Sequence, residues 1–255
     1  MAAFYHTAGR RPNVDMILLD WTRMGTTYCV AGAVVENGTA RVVRPLWVRH
    51  RHAPGRNVGW SPFLMDGHAR WDVLELVGPA PAASWPPHCE DVWVRELKAR
   101  GRSATRDQRR SVLEATRLSP NRPLFGAALT PTASSAFLAP GAGERSLTTV
   151  LLPAEGVQFF VTARPGGRAD LRVRLEAPGF TGRLLPLKDH FLLRRAEQAS
   201  ANLDVQLRCV QEAVRRMGDP IAVRVGLSRP FAPAGGDPAC WLMADGFFSY
   251  DDPMP

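Results

Sequence analysis

Thr27-Tyr28-Cys29-Val30-Ala31-Gly32-Ala33-Val34-Val35, followed by Glu36-Asn37-Gly38-Thr39 and then Ala40-Arg41-Val42-Val43-Arg44-Pro45-Leu46, is two strand-like runs joined by an Asn-Gly pair. Asn and Gly both tolerate positive φ, so this pair between apolar runs is the strongest short signal for a β-hairpin. Pro45 marks the end of the return strand, because proline cannot donate to a ladder. Just upstream, Val14 to Leu19 is an apolar run with Asp15 and Asp20 at its edges, which reads as a buried strand.

Working outward, Ala53 to Pro62 is a Pro/Gly-rich loop, and Trp71 to Val77 alternates well enough for another strand. Pro79 to Pro87 breaks the pattern and Val92 to Leu97 is a short fifth strand. Thr105 with Gln108 three residues on fits a capping box, opening a helix that runs to about Arg117. Ser119 to Gly143, rich in Pro, Gly, Ala and Ser, reads as a linker.

The second half repeats the strand logic. Leu147 to Leu152 and Val157 to Ala163 are strand-like, with a turn at Pro165-Gly166-Gly167. Leu171, Val173 and Leu175 alternate strictly with Arg172, Arg174 and Glu176. Leu203, Leu207, Val210, Val214 and Met217 fall on one face of a helix that Gly218 and Pro220 end. Ile221, Val223, Val225 and Leu227 alternate again, and Cys240 to Phe248 forms a last strand. The expected class is therefore mainly β with minor α. It consists of a first OB-like barrel with its C-terminal helix at 13–118, a linker at 119–144 and a second OB-like barrel at 145–250.

Several motifs are similar to a known family. Thr22-Arg23, Cys29-Val30-Ala31-Gly32 and Arg44-Pro45 resemble the opening motif of the dual OB-containing domain family. Asp72 to Val77 with Pro79 and Pro81, then Glu90-Asp91-Val92-Trp93, resembles its second block. Val225-Gly226-Leu227-Ser228-Arg229-Pro230-Phe231 and Cys240-Trp241-Leu242 are similar to its closing strands. The resemblance implies two OB-like barrels, a nucleic-acid or nucleotide-binding role, and a place in bacterial defence or conflict systems. It brings no catalytic residues.

The formal net charge of +8 is unevenly placed. Residues 41–60 carry +5 and residues 95–122 carry +6, while the rest of the chain sums to −3. A local basic surface is what a polyanion needs, since each phosphate contact releases condensed counterions. Thirty of the 32 basic residues are Arg, a preference that codon bias also produces. Between 41 and 71 Arg and Trp interleave, the composition of a groove that binds phosphates and stacks bases. The nucleic-acid-binding residues expected are Arg23, Arg41, Arg44, Trp47, Arg49, Arg51, Arg56, Trp60, Arg70, Arg109 and Arg110. Arg44 has an equal claim to a structural pairing with an acid such as Asp72. Trp71 and Trp93 read as core, and Arg172, Arg174 and Arg224 as a solvated strand face.

Enzyme chemistry finds little footing. P-loop, GxGxxG, HExxH and GxSxG motifs are missing, and neither Asp66-Gly67-His68 nor Asp189-His190 comes with a nucleophile. The four cysteines, Cys29, Cys89, Cys209 and Cys240, lack metal-ligand spacing and read as reduced thiols. No cofactor or metal is expected. No apolar run approaches the ~20 residues of a transmembrane helix, so no membrane partner is expected. Met1 to His6 lacks the charged and apolar regions of a signal peptide, and the expected location is cytoplasmic. The first expectation is a non-enzymatic protein that binds single-stranded DNA or RNA. The alternatives are an interaction module for an operon-encoded protein partner and a small-nucleotide sensor.

Overall fold

The computed structural model describes residues 12–24, 27–48, 59–82, 85–119, 122–132, 135–163, 169–177, 180, 183–232 and 236–250. The chain is mainly β with minor α, as its alternating patterns predict. Strands β1 (Val14–Met24), β2 (Thr27–Glu36) and β3 (Thr39–Trp47) form an antiparallel meander. Asn37 and Gly38 sit at φ 51° and 75°, the positive values the hairpin turn demands. A short helix α1 (Pro62–Met65) precedes β4 (Asp72–Val77), β5 (Ala80–Pro81), β6 (Asp91–Val94), β7 (Glu96–Ser103) and helix α2 (Arg106–Thr116).

The first sheet has the order β5-β6-β3-β2-β1-β4-β7. With β4 returning beside β1, the first four strands make a Greek key. Strands β3 and β6 run parallel, whereas β5 pairs antiparallel with β6. Only Gly78 and Pro79 separate β4 from β5, so one bent stretch pairs with β1 at one end and β6 at the other. The sheet therefore curls towards a small, partly open barrel of the OB type.

The second half makes a similar circuit. Its strands are β8 (Thr130–Pro131), β9 (Ala136–Leu138), β10 (Leu147–Leu152), β11 (Val157–Ala163), β12 (Ala169–Leu175) and β13 (Leu185–Pro186). Helices α3 (His190–Ala199) and α4 (Leu203–Arg215) follow, then β14 (Ile221–Leu227) and β15 (Cys240–Ser249). One ladder runs β10-β14-β15-β9-β8 and the other β11-β12-β13. They meet where Leu187 bridges Ala244 in parallel, and where the 3-10 turn Ala154–Gly156 carries β10 into β11. Residues 119–144, expected as a linker, supply β8 and β9, and β9 pairs with β15. The Pro165–Gly167 turn lies outside the described residues.

Strand β1 explains how the halves meet. Met16 and Leu18 point into the first barrel with Trp21, Val30, Val34 and Trp60. Ile17 and Leu19 point the other way, onto Trp71, Val112 and Leu113 of their own half and Ala222 and Phe248 of the other. Because both faces of β1 are covered, its sequence is a continuous apolar run rather than an alternation. Each Leu buried this way contributes about 1.5–3 kcal/mol. The third cluster fills the second barrel, with Phe159, Val173, Leu175, Val223, Leu242 and Phe247 at its centre.

Helix caps follow the sequence closely. Thr105 accepts from the Gln108 backbone N–H while the Gln108 side chain accepts from the Thr105 N–H, so both halves of the capping box form. Helix α3 was not expected from the pattern. Its N-cap is Asp189, whose Oδ1 accepts from the N–H groups of Phe191 and Leu192. Among the described residues no helix is long and apolar enough to cross a membrane.

Candidate functional site

The expected binding residues divide into three groups. Arg49, Arg51 and Arg56 lie outside the described residues. Arg41 on β3 and Arg110 on α2 are exposed, and Arg23 is half-buried with Nη1 and Nη2 on the Glu197 carboxylate at 2.5 and 2.8 Å. The third group turns inward. Arg44 is 2% exposed, and Arg70 and Arg109 are also buried. Trp60 is buried with Nε1 donating to the Pro45 carbonyl, and half-buried Trp47 stacks on it at 5.9 Å. Much of the Arg/Trp interleaving is thus the inner fabric of the first barrel. Trp71 is core, as expected, and Trp93 is half-buried.

Arg44 answers the choice posed by the sequence in favour of pairing, with acids other than Asp72. Its Nη1 shares a hydrogen bond with His88 Nδ1 at 2.9 Å and its Nη2 donates to Ser146 Oγ. Glu90 and Asp91 lie 3.8 and 3.7 Å away. Glu90 in turn accepts from the Ser146 and Leu147 backbone N–H groups, which ties the loop before β6 to the start of β10. Burial, then the neighbouring Arg44 and Arg229 guanidiniums, push His88 down to about 2, so its ring is neutral.

Arg224 corrects the reading of a solvated face. Every residue of β14 is buried, and Arg224 Nε donates to Asp20 Oδ2 at 2.9 Å across the junction of the halves. Arg70 makes a second crossing, donating to Asp189 Oδ2 at 2.7 Å with its guanidinium over Phe191 and Phe248. Asp189 is fully used by Arg70, the α3 cap and the Phe247 N–H. Its neighbour His190 takes a hydrogen bond from Arg23 on Nδ1, and burial with Arg23 lowers it to about 4. The Asp189-His190 pair is thus built into the scaffold.

Beside this junction a narrow cleft of about 40 Å³ opens between the barrels. Half-exposed Met24, Thr27, Tyr28, Cys29, Gly59 and Arg229 line its outer part. Buried Asp20, Ala31, Arg44, Trp60, Leu227 and Asp245 line its floor. The walls are mainly apolar and aromatic, with carboxylates and guanidiniums at a few points. Oδ1 of Asp20, Oδ1 of Asp245, Nε of Arg44 and Nη2 of Arg229 have no hydrogen-bond partner among the described residues. Native interiors satisfy nearly all such atoms, and each one left unpaired costs about 1–3 kcal/mol.

Burial raises the Asp245 carboxyl to about 7, with the Asp20 charge adding to the effect and Arg44, Arg224 and Lys188 opposing it. Burial also raises Asp20, against the pull of Arg224. The backbone makes room for Asp245: a Cβ on Gly226 would collide with its Oδ2. Next to the cleft, Phe231 follows Arg229 by two residues, and Trp241 stands between Phe231 and Phe137 at 6.1 and 5.2 Å. Phe231 is 52% exposed, so this aromatic trio presents ring surface to solvent.

Asp20, Asp245, Arg229 and the aromatic trio were not among the residues expected from sequence. Arg229 and Trp241 lie within the motifs that carry the family resemblance. The signal for Asp20 is an acid interrupting an apolar strand that continues to Trp21. Among the described residues no group of three or more His, Cys, Asp or Glu is placed to hold a metal ion. All four cysteines are free, Cys240 buried and Cys89 exposed. Compared with known protein families and with curated proteins, the chain matches none.

Proposed function

We propose that this protein binds single-stranded nucleic acid without transforming it, along the aromatic surface at the mouth of the cleft between its two barrels. The observation that carries the reading is the exposed Phe231 ring packed beside Trp241, two residues from the half-exposed Arg229. The Phe137–Trp241–Phe231 trio beside Arg229 supports the strand form of the ligand, because successive bases stack on exposed aromatic rings whatever their identity. The resemblance to the dual OB-containing domain family points the same way and suggests a role in bacterial defence or conflict systems.

Fluorescence anisotropy with labelled 20–30-mer single-stranded DNA, single-stranded RNA and duplex DNA at low salt tests the reading, with unlabelled mononucleotides as competitors. Binding to single strands that weakens with salt supports it. Binding of mononucleotides with no affinity for strands replaces it with the small-nucleotide sensor. No binding of either, with a protein partner co-purifying after nuclease treatment, favours the interaction module.

A further inference from the structure

A separate cavity of about 220 Å³ lies between the α3–α4 pair and the β12–β13 ladder. That is many times the ~10–15 Å³ one water requires, and below the ~300–1,000 Å³ of drug-sized sites. It is the scale of a free amino acid.

The charged lining is balanced. Arg23 near the end of β1 and Lys188 after β13 supply two cations, and Asp170 on β12 and Glu197 on α3 supply two carboxylates. Arg23, Asp170 and Lys188 are half-buried and Glu197 is exposed. The backbone holds the two cationic residues next to each other: the Arg23 N–H donates to the Lys188 carbonyl at 3.2 Å, and the Lys188 N–H to the Ala244 carbonyl at 2.9 Å. The Arg23 guanidinium is fixed further by the Glu197 carboxylate and by His190 Nδ1, which accepts from Nε at 3.1 Å. Half-buried Pro186, Leu193 and Leu203 add an apolar wall.

A ligand of one charge is attracted by one pair of these side chains and repelled by the other, whereas a zwitterion offers each pair its opposite. A phosphate would meet two carboxylates here, and an alkylamine two cations. We infer that this cavity binds a free α-amino acid with an aliphatic side chain. Its carboxylate lies toward Arg23 and Lys188, its ammonium toward Asp170 and Glu197, and its side chain against Leu193 and Leu203. Because Arg23 is already held by its neighbours, little ordering accompanies binding. Arg23 belongs to the first half and the other three charges to the second, so the ligand bridges the two. The site shares no residue with the aromatic surface of Phe231 and Trp241, and neither reading depends on the other.

Isothermal titration calorimetry at pH 7 with leucine, glycine, leucinamide, N-acetylleucine and adenosine 5′-monophosphate tests it. Leucine is expected to bind. Leucinamide, which lacks the carboxylate, and N-acetylleucine, which lacks the ammonium, are each expected to bind at least about tenfold more weakly, the loss of one charged partner. Glycine is expected to be similarly weakened, having no side chain to bury. Asp170→Asn is expected to weaken leucine about tenfold, and Leu203→Phe, which fills the cavity, to abolish its binding. Circular dichroism checks that both variants fold. No heat with leucine, valine or methionine overturns the inference. So does binding of leucinamide or N-acetylleucine as tight as that of leucine, or leucine binding that folded Asp170→Asn and Leu203→Phe both leave unchanged.

Discussion

Arg224 and Asp20 form a buried ion pair, Nε to Oδ2 at 2.9 Å, between side chains 0% and 1% exposed that belong to different barrels. Arg224 also donates to Thr149 Oγ1 at 3.2 Å, and Thr149 Oγ1 shares a hydrogen bond with Thr116 Oγ1. The pair therefore joins β1, β10, β14 and α2 at one point. Breaking it leaves a charge in the interior, which costs more than the intact pair contributes. Asp20→Ala and Arg224→Ala are each expected to lower the unfolding free energy by about 3–5 kcal/mol. Urea denaturation checks this, and the double variant is expected to lose less than the two singles combined.

The contact between Gly226 and Asp245 predicts a coupled effect. A methyl group at position 226 would collide with Asp245 Oδ2, so the carboxyl must shift within a packed floor. Gly226→Ala is expected to destabilise by about 1–3 kcal/mol, the usual range for overpacking. In the Asp245→Ala background most of that penalty is expected to vanish, as a thermal-unfolding double-mutant cycle would show.

Asp245 also sets a pH dependence. Its folded pKa, about 7, is raised above the ordinary aspartate value, so the folded state binds the proton more tightly than the unfolded chain. Its contribution to stability is full below the unfolded pKa and falls as pH rises towards 7. Buried His190, lowered to about 4, has the opposite sign and destabilises as pH falls from about 6.5 to 4. Comparing wild type with Asp245→Asn cancels the histidine part. The variant is expected to gain stability relative to wild type between pH 5 and 8, measured as urea midpoints.

The aromatic trio can be tested by itself. Phe231→Ala and Trp241→Ala are each expected to weaken oligonucleotide binding by about 1–3 kcal/mol, the contribution of one stacked base. Anisotropy with single-stranded oligonucleotides reads the loss, and circular dichroism is expected to stay that of wild type.

Much of the fold is legible because it rests on local signals. The Asn37-Gly38 turn, the Thr105–Gln108 capping box and the apolar face of α4 each announce themselves within a dozen residues. Helix α3 escaped detection because its cap, Asp189, reads as a possible catalytic neighbour of His190 until Arg70 and the Phe247 N–H are seen to fill the other oxygen. The candidate site was less legible, for the same reason at larger scale. Asp20 and Arg224 are 204 residues apart, as are no two positions that local pattern can relate. Arginines counted as one positive stretch also sort by burial into Arg44, which balances Glu90 and Asp91 inside, and Arg41, which faces outward. Charge along the chain does not reveal which side of a strand carries it.

The most direct test of strand binding at the barrel junction is anisotropy of a labelled 20–30-mer single strand, titrated at low salt with wild type and with the Phe231→Ala, Trp241→Ala double variant. The account predicts saturable binding to wild type that weakens as salt rises and is weaker for the variant. An unchanged anisotropy with single-stranded DNA and RNA alike, or binding that the double variant leaves untouched, would contradict it.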